Sequence, residues 1–340
     1  MTYKRRLEAF ALLGDFLNSP DPGLEELILQ GPQQNSWFTV ENIRKAIAGI
    51  GQMLIRADLE IWFNSASADF EKKNQNLKAV GLILAGNIPL VGFHDVLCVL
   101  ASGNKALIKL SSSDQKLTPY ILTKLTEIEP TFLERFQFVE RLIHYDAVIA
   151  TGSGNSSRYF EYYFKNVPHI IRKNRNSIAV LNGNESKASL TDLGHDIFDY
   201  FGLGCRNVSK VYVPVGYDFK FFFEAIEEFK AVADHHKYFN NYEYNKSIFL
   251  VNMQKHLDNG FLLLKQDERI ASPLAVLYFE EYVSLLQLSQ VLKSLDQQVQ
   301  CVVTNMPVVS QSIDFGQTQQ PKLWDYADKI NTLNFLNTLN

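Results

Sequence analysis

From residue 78 onward the chain alternates short apolar runs with stretches long enough to form a helix, and this alternation restricts the fold more than any other feature. Ala79-Val80-Gly81-Leu82-Ile83-Leu84, Ala106-Leu107-Ile108-Lys109-Leu110 and Ala147-Val148-Ile149-Ala150 read as strands. Helical candidates fall around 92–101, 117–134 and 156–165. Near-continuous apolar strands joined by helix-length crossovers fit βαβ units in a largely parallel sheet. After a basic, Asn-rich connection (Arg172-Lys173-Asn174-Arg175-Asn176) the pattern resumes. A strand is expected over 177–181, a helix over 190–201, a strand over 210–213 and a helix over 219–233. Strand-like segments follow at 247–251, 262–264, 274–279 and 299–303.

The first 75 residues have a different texture. Leu7, Phe10, Leu13 and Leu17 make one helical face, Ile43, Ile47, Ile50 and Leu54 another, and Ser19-Pro20-Asp21-Pro22-Gly23 breaks the chain between them. The whole, 340 residues, suits two domains at ~100–200 residues each, or one large α/β unit. The expected division is a helical N-terminal region (1–75), a first α/β domain with its core at 76–175, a second at 176–306, and a tail (307–340). The tail packs back through the periodic residues Trp324, Tyr326, Ile330, Leu333 and Leu336.

Composition excludes several roles. A formal charge of −4 gives nucleic-acid binding no global electrostatic support. Cys98, Cys205 and Cys301 are odd in number and far apart, which fits neither a disulfide framework nor a zinc site, so no metal and a reducing cytoplasm are expected. Lys4-Arg5-Arg6 before Ala9-Phe10-Ala11-Leu12-Leu13 imitates a signal peptide, but the apolar run stops at Gly14-Asp15. The most apolar segment, 79–93, holds Asn87 and Pro89 and is too short to span a bilayer.

Four segments have the residue types for chemistry. Asn87, in Ala85-Gly86-Asn87-Ile88-Pro89 directly after a buried strand, offers an amide N–H to an oxyanion, or else caps the next helix. Lys109 ends a strand and is followed by Ser111-Ser112-Ser113; this suits a nucleotide ribose or phosphate, or a solvated lysine and a helix cap. Thr151-Gly152-Ser153-Gly154 joins a strand to a helix and lets backbone N–H groups approach a pyrophosphate, although the G-x-G-x-x-G fingerprint fails at Ser157. Cys205, between Gly202-Leu203-Gly204 and Arg206, has a neighbouring cation and room for substrate, as a reactive thiolate needs. Cys98 and Cys301 lie in apolar runs and read as core. Of the histidines, His94 beside Asp95 is the one placed to line a site.

In order and spacing these segments resemble the aldehyde dehydrogenase superfamily, and more closely its LuxC-type acyl-CoA reductase branch, over roughly residues 78–316. Asn87-Ile88-Pro89 is similar to the superfamily's Asn-Phe-Pro loop, and Ala101-Ser102-Gly103-Asn104 through Lys109 to its A-x-G-N-x-x-x-x-K segment. Thr151-Gly152-Ser153 resembles its Thr-Gly-Ser turn, Cys205 its nucleophile, the stretch from Asp267 to Phe279 its nicotinamide-ribose segment, and Phe315-Gly316 a late active-site loop. The resemblance implies two open α/β domains, a Rossmann-like cofactor domain and a catalytic domain, behind a helical N-terminal region. It implies Cys205 and Asn87 as catalytic residues. Lys109, Ser112, Thr151, Gly152, Ser153 and Glu268 would bind the cofactor.

The departures from the family pattern carry information. Counting from Ser177, the position of the glutamate base of aldehyde-oxidising relatives holds Arg172, and Arg269 replaces a glutamate in the nicotinamide-ribose segment. Ser112 stands where NAD-preferring members often carry a glutamate, which removes repulsion toward a 2′-phosphate and permits NADPH alongside NADH. Reduction of an acyl-CoA needs no activated water, so a missing base fits that direction. The implied activity is NADPH-dependent reduction of an acyl-CoA, of fatty type by the family name, through an acyl-Cys205 thioester. Reduction of an acyl phosphate, oxidation of an aldehyde, and a non-catalytic acyl or nucleotide carrier or partner-binding protein are the alternatives. An acyl-transferring partner enzyme and a homo-oligomer are the associations that the resemblance implies.

Overall fold

The structure, a computed structural model, describes residues 1–72, 77–152 and 154–339. It divides into two compact units, Met1–Asn174 with Pro321–Asn340, and Arg175–Gln320.

The first unit opens with four helices, α1 (Tyr3–Leu17), α2 (Pro22–Gln34), α3 (Val40–Met53) and α4 (Arg56–Lys72). The first three starts have a local cause. Thr2, Asp21 and Thr39 accept the N–H groups of Arg5, Leu24 and Asn42, and Pro22 occupies the first turn of α2. The apolar faces expected from the spacing are the buried ones: Phe10, Leu13 and Leu17 on α1, Ile43, Ile47 and Ile50 on α3.

The sheet of this unit follows: β1 (Ala79–Ile83), α5 (Phe93–Ala101), β2 (Lys105–Lys109), α6 (Leu117–Ile128), β3 (Phe136–Phe138), β4 (Ala147–Thr151), α7 (Gly154–Phe164) and β5 (His169–Arg172). Its strands run parallel in the order β3-β2-β1-β4-β5, with Val80 paired to both Ala106 and Ala147. The helix expected over 117–134 is interrupted, because Glu129 caps a separate 3₁₀ turn that begins at Pro130.

The end of the chain returns to this unit. Arg172, itself buried, donates to both oxygens of Asp95 at 2.6 and 2.9 Å, to the Thr332 hydroxyl and, at a partly buried position, to the Ala327 carbonyl. Burial opposes both charges, but each outweighs that cost for the other: Asp95 is held below the usual carboxylate range and Arg172 above its ordinary value. His94 Nε2–H donates to the Leu323 carbonyl at 2.9 Å, so this histidine anchors the tail.

The second unit contains β6 (Asn176–Val180), α8 (Lys187–Phe198), β7 (Val208–Pro214), α9 (Phe219–Ala225), α10 (His236–Val251), β8 (Leu257–Asp258), β9 (Leu263–Gln266), β10 (Val276–Tyr282), α11 (Leu285–Ser294) and β11 (Val299–Val303). The order is β11-β6-β7-β10-β9-β8, parallel except for β8 against β9. Both faces are covered. Val211 and Val213 of β7 join Leu190, Leu193 and Phe222 in one core, while Tyr212 between them joins Leu288 and Leu292 of α11 in the other. Phe315 belongs to the first of these cores and Val308 to the second. α12 (Thr332–Asn337), in the first unit, closes the chain with Leu333 and Leu336 buried.

One expected strand is overturned: 247–251 is the last turn and a half of α10. The helix expected over 219–233 is α-helical only to Ala225 and continues as a 3₁₀ segment over Glu227–Asp234. Both folds remain α/β.

Candidate active site

In the first unit, three of the singled-out segments emerge side by side from the carboxyl ends of β2, β1 and β4. Strand order reverses between β1 and β4, and in open α/β sheets ligands bind at such a switch point. Glycine is required at two places. A Cβ on Gly86 would lie 2.4 Å from Ser111 Oγ, and one on Gly152 would lie 2.7 Å from the Phe160 ring and 2.8 Å from Ser156 Cβ. The Asn87 loop is fixed at its far end, where the buried Asp114 accepts the Leu90 N–H at 2.9 Å and Leu90 adopts φ +57°. Burial raises the Asp114 carboxyl against that bond. Asn87 itself is exposed.

Lys109 Nζ donates to the Glu140 carbonyl at 2.6 Å. A cavity of about 540 Å³ opens there, lined by Lys109, Leu110, Gln115, Phe138, Glu140 and Arg141 among others. Ser112 is exposed in the turn between β2 and α6. Thr151 ends β4, and Gly152 precedes α7. Ser153 lies outside the described residues. Glycines beneath a strand edge, a helix start and a cavity with two cations fit an anionic dinucleotide.

In the second unit, Cys205 sits in a braced turn. The Asn207 N–H donates to the Gly204 carbonyl at 3.1 Å, and the Asn207 side-chain oxygen accepts the Gly204 N–H at 2.8 Å. Asn207 Nδ2 donates to the Asp196 and Asp199 carbonyls at the end of α8, at 3.1 and 2.9 Å. Ser177 Oγ donates to the Cys205 carbonyl at 3.1 Å and accepts the Cys301 N–H at 3.2 Å, tying the turn to β6 and β11. Just before the turn, Tyr200, Phe201 and Gly202 all have positive φ (55°, 59° and 75°), a run that costs of order 1–3 kcal/mol at each non-glycine residue. The expected helix over 190–201 therefore stops at Phe198. Cys205 is half-buried, whereas Cys98 and Cys301 are buried and burial pushes the Cys98 thiol well up.

Arg206 directs its guanidinium to Cys301 Sγ and the Thr318 carbonyl, both at 3.4 Å. The loop after Phe315 is further held by Asp196, whose buried carboxylate accepts the Gly316 and Thr318 N–H groups at 2.7 and 3.0 Å. Burial is the larger influence and pushes that carboxyl from 3.8 up to about 6. The folded protein thus binds a proton there that the unfolded chain binds only near 3.8. Stability from this group is complete at low pH and is lost as pH rises through about 6. The melting temperature of the wild type relative to Asp196→Asn is expected to rise as pH falls from about 7 to 5. A gap that stays constant across that range would show that the carboxyl does not titrate there.

The 267–270 segment runs beside the first residues of β7. Ser209 Oγ donates to the Ile270 carbonyl and Lys210 Nζ to the Glu268 carbonyl, both at 2.8 Å. Arg269 and Lys265 both pair with Asp267, Arg269 most strongly lowering its pKa, while the Glu268 side chain is exposed. Sequence reading did not find Ser177, Asp196, Asn207 and Lys210. Their only local mark is a polar letter inside or beside an apolar run.

The acyl-CoA reductase (LuxC) family model matches residues 56–224, a span that takes in the Asn87 loop, both strand-end segments and the Cys205 turn. Residues 56–224 belong to the LuxC acyl-CoA reductase family. The match supports an oxidoreductase that acts on acyl or aldehyde groups. No curated protein sequence matches the chain.

Among solved structures, the aldehyde dehydrogenase KauB from Pseudomonas aeruginosa superposes with a TM-score of 0.66 at 13% identity, covering 91% of this chain and 73% of that one. A NAD-dependent benzaldehyde dehydrogenase from Corynebacterium glutamicum gives 0.64 at 12%, covering 89% and 76%. Mycobacterium tuberculosis aldehyde dehydrogenase, complexed with NAD+, gives 0.61 at 12%, covering 89% and 73%. These likenesses establish an aldehyde-dehydrogenase fold for the chain. Among the described residues no helix is long and apolar enough to cross a membrane.

Proposed function

We propose that the chain reduces an acyl-CoA to the aldehyde with NADPH, through a thioester on Cys205. The observation that carries this reading is the Cys205 turn, a half-buried thiol held from β6, α8 and Asn207 within the family segment. Such a bracing network fixes a nucleophile without blocking it. The direction of reaction is argued from Arg172. By the resemblance, the position of the relatives' glutamate base holds Arg172, a buried guanidinium committed to Asp95, which is no acceptor for a water proton.

In this reading the Cys205 thiolate attacks the thioester carbonyl, and its own N–H together with the Asn87 side chain stabilises the oxyanion. The oxyanion collapses, the carbon–sulfur bond to CoA breaks, and CoA leaves as its thiolate. A bound nicotinamide coenzyme supplies hydride to the carbonyl carbon of the acyl group. Collapse of the Cys205 thiohemiacetal then releases aldehyde and regenerates the thiolate. Lys109 and Ser112 would hold the adenosine ribose of that coenzyme, Thr151, Gly152 and Ser153 the pyrophosphate, and Glu268 the nicotinamide ribose. With Ser112 in place of a carboxylate, a 2′-phosphate meets no repulsion there. Where hydrolysis would waste the acyl-enzyme, the lack of a base protects it.

The test is loss of nicotinamide absorbance with a series of acyl-CoAs and, in parallel, acyl phosphates. NADPH consumption with equimolar CoA and aldehyde supports the reading. Consumption only with acyl phosphates, or NAD(P)+ reduction by aldehydes without CoA, would replace it.

A further inference from the structure

Lys210 has a completely buried side chain, although β7 otherwise buries apolar residues and serine there. Taking an ammonium out of water is costly unless its donors are satisfied. Here Nζ donates to Glu280 Oε2 at 2.6 Å and to the Glu268 carbonyl at 2.8 Å, and it lies 4.8 Å from the centre of the Tyr212 ring. The adjacent Ser209 holds the Ile270 carbonyl. Two consecutive residues of one strand, the strand that leaves the Cys205 turn, therefore fix the main chain on either side of Arg269. A sheet built for stability alone would fill the Lys210 site with an apolar side chain; what the lysine adds is a fixed position for the Glu268 backbone.

We propose that Lys210, assisted by Ser209, is a positioning residue that sets the 268–270 segment for coenzyme binding and hydride transfer and has no part in acylation of Cys205. The inference rests on the assignment of Glu268 to the coenzyme made above. It separates the two halves of the reaction: the carbon–sulfur exchange at Cys205 proceeds without the tether, and the reduction does not.

The experiment uses the full chain with Lys210→Met, Lys210→Arg and Ser209→Ala. Acylation of Cys205 by acyl-CoA without coenzyme is followed by intact mass, and NADPH affinity by its fluorescence on binding. NADPH oxidation by the pre-acylated protein gives the reduction rate. Lys210→Met is expected to keep the acylation rate within about twofold while the Kd for NADPH rises about tenfold and reduction slows. Lys210→Arg should recover part of that loss, and Ser209→Ala should show a smaller change of the same kind. The inference is overturned if acylation and reduction fall together, or if NADPH affinity and reduction stay unchanged in Ser209→Ala and Lys210→Met. Should Lys210→Met not fold, Lys210→Arg and Ser209→Ala decide: wild-type Kd and reduction rate in both overturns it. If the wild type binds NADPH but is not acylated by acyl-CoA, the reductase reading fails, while the affinity comparison still decides the role of Lys210.

Discussion

Cys205→Ala is expected to lower acyl-CoA-dependent NADPH oxidation by at least about four orders of magnitude, because no other group in the turn can form the covalent intermediate. The substitution is small, and the bonds of the Cys205 carbonyl, Gly204 and Asn207 that brace the turn are kept, so the turn persists and the melting temperature barely moves. Cys98 and Cys301 are buried and offer no substitute thiol. Intact mass after incubation with acyl-CoA gives the independent readout: one acyl group on the wild type, none on the variant. Retained acylation would place the nucleophile elsewhere.

The second large effect is expected at Asn87. Removing one oxyanion donor costs on the order of 10²–10³ in rate, so Asn87→Ala should lose that much in both acylation and reduction, since each passes through a tetrahedral oxyanion. Coenzyme affinity should hold. The residue is exposed, in a loop whose far end is pinned by Asp114 and Leu90, so stability should change by less than about 0.5 kcal/mol. Single-turnover rates before and after acylation check both steps. A loss below about tenfold in each would remove Asn87 from the oxyanion role and leave it a loop residue.

How far these residues were visible in advance depended on the range of the interactions that place them. β1, β2, β4, β6 and β7 are written as short apolar runs, and burial on both faces makes that signal local. The segment at 247–251 misled because Ile248-Phe249-Leu250-Val251 looks like a strand in isolation. In α10 only Phe249 of the last three is buried, and the helical face is Tyr238, Tyr242, Asn245 and Phe249, a polar-aromatic stripe that apolar counting passes over. The edge strands β3 and β5 are too short to announce themselves. The strand-end and turn placement of Asn87, Lys109, Gly152 and Cys205 was legible because turn chemistry follows from adjacent letters. Their supports were not, because Ser177 reaches Cys205 across 28 residues and Asp196 reaches Gly316 across 120.

The Arg172–Asp95 pair bears on how such a chain changes its chemistry over time. An aldehyde-oxidising enzyme would seem one substitution away, Arg172→Glu. In this interior that change would set two carboxylates against each other and strip the Ala327 carbonyl and the Thr332 hydroxyl of their donor, loosening the end of the chain. With the tail closed over it, this guanidinium is a part that cannot be exchanged alone. Under the proposed reading, a change to hydrolysis requires at least two coordinated substitutions, and the direction of the reaction is held by structural, not catalytic, contacts.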